Sequence, residues 1–193
     1  VGVDVWTPGE ASLVKAMTSR RAGATASYAA AATVSGTAYL YTLVDGTLRR
    51  DSLSAETAYT ASATPATEPV IGAGRVLVGS TAGILSGTMT GSALGSLWSS
   101  STGTLVRPWW VKSRIIAARD ANLFDLTGAG GNLDTTTPLW THPSSTWSWT
   151  AVAESPSAIL AAGTDGATSA IFKFTLVTPP SGSTPILGPA IEI

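Results

Sequence analysis

Four stretches of the chain repeat one hydrophobic pattern: an apolar strand, a small turn, and a second strand opening on an apolar residue. They read YLYTLVDGTL at 39–48, VLVGSTAGIL at 76–85, IIAARDANLF at 115–124 and ILAAGTDG at 159–166. The turn residues Gly46, Gly83, Asn122 and Gly166 lie 37, 39 and 44 residues apart. Strand chemistry recurring with a period of about 40 residues marks a blade-type repeat. Asp45-Gly46 and Asp165-Gly166 supply the positive φ angles that tight hairpin turns demand, and Gly83 and Asn122 tolerate them at low cost. Turns are therefore expected at Asp45-Gly46, Ala82-Gly83, Ala121-Asn122 and Asp165-Gly166.

Further pieces surround each turn. An apolar segment lies upstream at 69–71, 109–111 and 150–152, and a segment bearing an aromatic lies downstream at Tyr59, Trp98 and Trp140. This makes about four strands per unit, which predicts an all-β protein of repeated four-stranded antiparallel blades. The expected architecture is β-propeller-like with about four repeats, complete or part of a larger propeller, with an irregular sandwich or barrel as the alternative. Leu40, Leu77, Ile116 and Leu160 align as one set and Tyr41, Val78, Ala117 and Ala161 as another, the two sets facing opposite sides of their sheets.

The repeats fall near 27–65, 66–104, 105–148 and 149–193, and residues 1–26 form an irregular N-terminal segment. In that segment Val3 to Trp6 resembles an aromatic fourth strand without a preceding blade, an orphan strand suited to closing a ring with the last repeat. Such a start, and an end without a polar cap, are expected of a piece of a longer or processed polypeptide. Residues 8–21 suit either a short helix after Pro8 or a loop. The alanine run 29–32 has helical propensity, yet it occupies a first-strand position and is assigned to strand. Residues 62–69 and 178–185 read as turn-rich surface connectors.

Composition narrows the class. Only 12% of the 193 residues are charged while 44% are hydrophobic, and the formal net charge is −1, so the chain folds rather than staying disordered. Without cysteine there is no disulfide framework and no thiolate metal site. No apolar run reaches the ~20 residues of a membrane span. The basic residues are scattered apart from Arg20-Arg21 and Arg49-Arg50, which argues against nucleic-acid binding.

Enzyme signatures are weak. The single histidine, His142, sits between aromatics in a hairpin tip, where capping a turn explains it better than general-base catalysis. Asp120 with Asp125, and Asp45 with Asp51, are conceivable carboxylate pairs of a channel-facing glycosidase, but aspartates at such positions ordinarily bond turn amides. The sialidase Asp-box is absent, its nearest match being Thr164-Asp165-Gly166. Asp120, Asn122 and Asp125 offer oxygens to a calcium ion without the full loop pattern. No catalytic residue, metal ligand or cofactor is assigned.

The aromatic cluster is the best candidate for binding. Trp109, Trp110, Trp140, Trp147 and Trp149 are five of the seven tryptophans. Trp147 and Trp149 share a strand face, whereas Trp109 and Trp110 point opposite ways, so that one can enter a core while the other faces outward. Exposed indoles suit a partner protein or a sugar ring, and buried ones suit packing between blades.

The charge-poor, cysteine-free repeats, with pieces such as RVLVGS at 75–80 and RIIAARDANLF at 114–124, resemble the minor tail proteins of long-tailed phages infecting actinobacteria, over roughly residues 27–193. That resemblance implies a structural virion protein of the tail tip. It would be oligomeric, assembled with other tail proteins, and in contact with host cell-envelope glycan if it also serves attachment. The alternatives are a secreted carbohydrate-binding propeller and a glycosidase.

Overall fold

The computed structural model describes residues 4–5, 18–19, 26–52, 55–126, 130–178 and 186–193. Among these the regular structure is all β. Strands β1 (Asp4–Val5) and β2 (Thr18–Ser19) pair with each other, antiparallel, in a small sheet of their own. Of the expected orphan strand at residues 3–6, Asp4 and Val5 thus pair with β2, while Val3 and Trp6 lie outside the described residues. The rest of residues 8–21 lies outside the described residues, as does most of the 178–185 connector.

Four larger sheets follow in chain order. Sheet I holds β3 (Ala26–Val34), β4 (Thr37–Val44), β5 (Thr47–Asp51) and β6 (Glu56–Ala58), and is followed by the short strand β7 (Thr60–Ala61). Sheet II holds β8 (Val70–Gly72), β9 (Arg75–Ser80), β10 (Gly83–Thr88) and β11 (Ala93–Ser99). Sheet III holds β12 (Arg107–Val111), β13 (Arg114–Arg119), β14 (Asn122–Asp125) and, after the short β15 (Gly131–Asn132), β16 (Trp140–Thr141). Sheet IV holds β17 (Ser148–Ser155), β18 (Ala158–Thr164), β19 (Ser169–Val177) and β20 (Ile186–Glu192). Each sheet is an antiparallel meander in sequence order. In sheet II, β7 and β15 pair in parallel with β11 and cover an edge that would otherwise expose unpaired backbone groups.

Local chemistry sets the hairpins. Asp45 (φ 49°) and Gly46 (φ 70°) form the β4–β5 turn as expected. The next two turns sit one residue earlier than expected, at Thr81-Ala82 and Asp120-Ala121, and the last is the loop 165–168. Gly83 instead opens β10, where an added Cβ would lie 1.9 Å from the Trp98 carbonyl oxygen. The first hairpin of sheet III turns on Lys112 (φ 51°) and Ser113 (φ 59°), two residues that give no turn signal in the sequence.

Three apolar cores hold the sheets together, one at each successive interface. Tyr41, Leu48 and Tyr59 of the sheet I side meet Val76, Val78, Leu85 and Leu94 of sheet II. Leu77, Ile84 and Trp98 on the other face of sheet II meet Ile115, Ala117 and Phe124 of sheet III. Ile116, Ala118 and Leu123 on the remaining face of sheet III meet Trp149, Ile159, Ala161, Phe172 and Phe174 of sheet IV. Sheets II and III are thus covered on both faces, which explains why their central strands read as continuous apolar runs. Each fully buried Leu, Ile or Phe contributes about 1.5–3 kcal/mol.

The expected alignment of the repeats needs one correction. Val78, Ala117 and Ala161 each face the preceding sheet, but Tyr41 faces the following one. The first repeat is aligned one residue out, and a one-residue slip exchanges the two faces of a strand. The connector 62–69 is also not a plain surface loop. Pro65, Thr67 and Pro69 are buried, and the Thr67 hydroxyl accepts the Gly79 backbone N–H at 2.7 Å.

Candidate functional site

The tryptophans selected from the sequence are brought together in the cores. Trp147 and Trp149 are 2% and 3% exposed and pack between sheets III and IV, as half-buried Trp109 and Trp140 do on the same side. Trp110, on the opposite face of β12, packs against the core between sheets II and III. Neither of the Trp109-Trp110 pair faces freely outward, because sheet III is sandwiched. The Trp149 indole N–H donates to the Ala121 carbonyl at 3.1 Å, tying sheet IV to the β13–β14 turn.

Glycines make room for these indoles, a signal that the sequence reading missed. A Cβ at Gly72 would lie 2.2 Å from Trp110, one at Gly131 2.7 Å from Trp98, and one at Gly163 2.3 Å from Trp147. His142 stacks on Trp147 with ring centres 3.8 Å apart, and its Nδ1 accepts the Ser144 backbone N–H at 3.1 Å. The histidine thus serves the turn and the aromatic stack.

The aspartates are engaged locally. Asp45 and Asp120 occupy turn positions with positive φ, and Asp51 is buried in β5. Asp125 accepts Arg114 Nη1 at 2.5 Å, and burial raises its carboxyl above the usual range against the opposing pull of that guanidinium. Asp134, which the sequence did not single out, is held below the usual range by the Ser101 hydroxyl and backbone N–H and by Arg119. Arg119 also lies 5.6 Å from the Phe124 ring centre.

Of the two arginine pairs, Arg50 has become a structural clamp. Its Nη1 donates to the Met89 and Gly91 carbonyls at 3.2 and 3.1 Å, beside the Tyr41 hydroxyl, which donates to Met89 at 2.7 Å. Burial pushes the Tyr41 phenol up to about 12.

Among the surfaces of the described residues, two clefts beside tryptophans and one sheet face bear on function. A cleft of about 310 Å³ between sheets III and IV is lined by Trp147 and Trp149 with Arg107, Asp120, Thr104 and Thr146. A second, of about 330 Å³, opens between sheets II and III beside Trp110. The third is the outward face of sheet IV. Lys173 pairs with Ile191 and Val177 with Ile186, while Phe172, Phe174 and Leu187 turn inward. Ile171, Val177, Ile186, Ile191 and Ile193, exposed by 44–66%, therefore lie on that face, Ile171, Ile191 and Ile193 towards one end of the strand pair and Val177 and Ile186 towards the other. They are five of the six exposed large apolar side chains among the described residues. No long apolar helix able to cross a membrane occurs among the described residues.

Comparison of the chain with protein-family profiles, with curated proteins and with solved structures finds no match.

Proposed function

We propose that the chain is a propeller-type structural module of a phage tail, working by assembly with other copies or neighbouring tail proteins rather than by catalysis. The observation that carries this reading is the outward face of sheet IV, where five isoleucine and valine side chains stand in water. Apolar clusters of this kind mark association surfaces. The blade geometry is part of the same proposal: four meanders, stacked in order through three cores, form an arc with one face of sheet I and one of sheet IV outside those cores. The sequence resemblance to minor tail proteins supplies the virion context.

The test is a double substitution, Ile171→Glu with Ile191→Glu, in the phage genome and in the isolated chain. The proposal expects the variant to keep its circular dichroism and Tm but to be lost from purified particles and to stop self-associating in light scattering. Normal incorporation of a folded variant would overturn it. A second reading, contact with an envelope glycan, rests on the polar residues Thr104, Arg107, Asp120 and Thr146 that line the cleft between sheets III and IV, since the Trp147 and Trp149 indoles there are almost wholly buried. Glycan-array binding that disappears with Arg107→Ala would favour that reading.

A further inference from the structure

We infer that the cleft between sheets II and III binds an apolar group ending in a carboxylate, a role beyond the assembly surface proposed above. At about 330 Å³ the cleft is at the small end of ligand pockets, room for one ring or one branched side chain. Its floor is Leu77, Ile115 and Leu126, all buried. One wall is the Trp110 indole, which is fixed in place because Gly72 has no Cβ to push it away.

Two arginines, Arg75 and Arg114, line the same cleft, and among the described residues no acidic one does. Arg114 is 7% exposed and bonded to Asp125, so one carboxylate answers one of the two positive charges. Arg75 is exposed and carries no ion pair among the described residues. An anion entering the cleft meets a guanidinium fork that pairs well with a carboxylate, over a surface that rewards apolar contact. A neutral pyranose fits less well, because the aliphatic floor leaves its hydroxyls without partners and their desolvation is unfavourable.

The same chemistry has two sources, a free aryl or alkyl carboxylate and the carboxyl terminus of a polypeptide ending in an apolar residue. Titration of the full chain with 3-phenylpropionate and with acetyl-Gly-Gly-Leu, each against its uncharged amide, separates them. Binding is read by calorimetry and by the indole N–H resonance that is lost in Trp110→Phe. The expected result is that at least one carboxylate shifts this resonance while its amide binds about tenfold more weakly or less. Arg75→Gln should reduce carboxylate binding about tenfold and leave the amide affinity and Tm unchanged. Binding of the small acid alone identifies a free carboxylate, and binding of the peptide identifies a chain terminus. Equal affinity for acid and amide, wild-type affinity in Arg75→Gln, or no shift by either acid at about 10 mM overturns the inference.

Discussion

Gly163→Ala tests whether Trp147 belongs to the core. The added methyl would sit 2.3 Å from Trp147 Nε1 and 2.5 Å from Cε2, distances at which something must move. The ring has little room to retreat, since it is 2% exposed and stacked on His142. Overpacking of this kind costs about 1–3 kcal/mol. Replacing glycine restricts the unfolded chain and offsets about 0.4–1 kcal/mol of that. The net expectation is a loss of about 1–2 kcal/mol, or a Tm lower by about 2–8 °C for a chain of this size. Gly95→Ala is the matched control, because its new Cβ meets nothing within 4 Å and should leave Tm unchanged or slightly raised. Both are read by urea and thermal unfolding followed by circular dichroism. Equal stability of the two variants would refute the packing account and return Trp147 to the candidates for an adaptable binding surface.

Trp149→Phe removes one of two donors to the Ala121 carbonyl, which keeps the His142 backbone N–H, and the lost hydrogen bond should destabilise by about 0.5–1.5 kcal/mol in urea unfolding. Arg114→Met leaves a buried carboxylate at Asp125 and should cost about 2–4 kcal/mol at neutral pH. Because burial raises the Asp125 pKa, the folded state favours the protonated acid and loses stability as pH rises through the carboxylate range. The Arg114→Met defect should therefore shrink towards acid pH in a Tm series. Asp134 has the opposite sign: its pKa is lowered, so its contribution is full above the ordinary carboxylate value and disappears as pH falls through the lowered one. Asp134→Asn should flatten that acid limb of the Tm profile.

The repeat, the strands and half of the turn chemistry are local properties, and the chain alone determines them. Short apolar runs bounded by turns within 39–48, 76–85, 115–124 and 159–166 specify strands, Asp45-Gly46 specifies its hairpin, and the period of about 40 residues specifies a repeated sheet. The Lys112-Ser113 turn escaped because neither residue prefers positive φ, and the surrounding ladder holds them there. The one-residue slip at Tyr41 escaped because Tyr39, Leu40 and Tyr41 run consecutively and Leu43 and Val44 are both apolar, so the pattern does not choose a face. Of the candidate site, the sequence yielded the tryptophans but not their surroundings. Alternation assigns Trp109 and Trp110 to opposite faces, yet whether a face meets water or another sheet depends on stacking between segments distant in the chain. Trp147 resting on Gly163, Arg114 reaching Asp125, and the isoleucines of sheet IV left outside every core are likewise outcomes of that stacking. Strand periodicity gives each residue a side, and only the neighbouring sheet decides what that side touches.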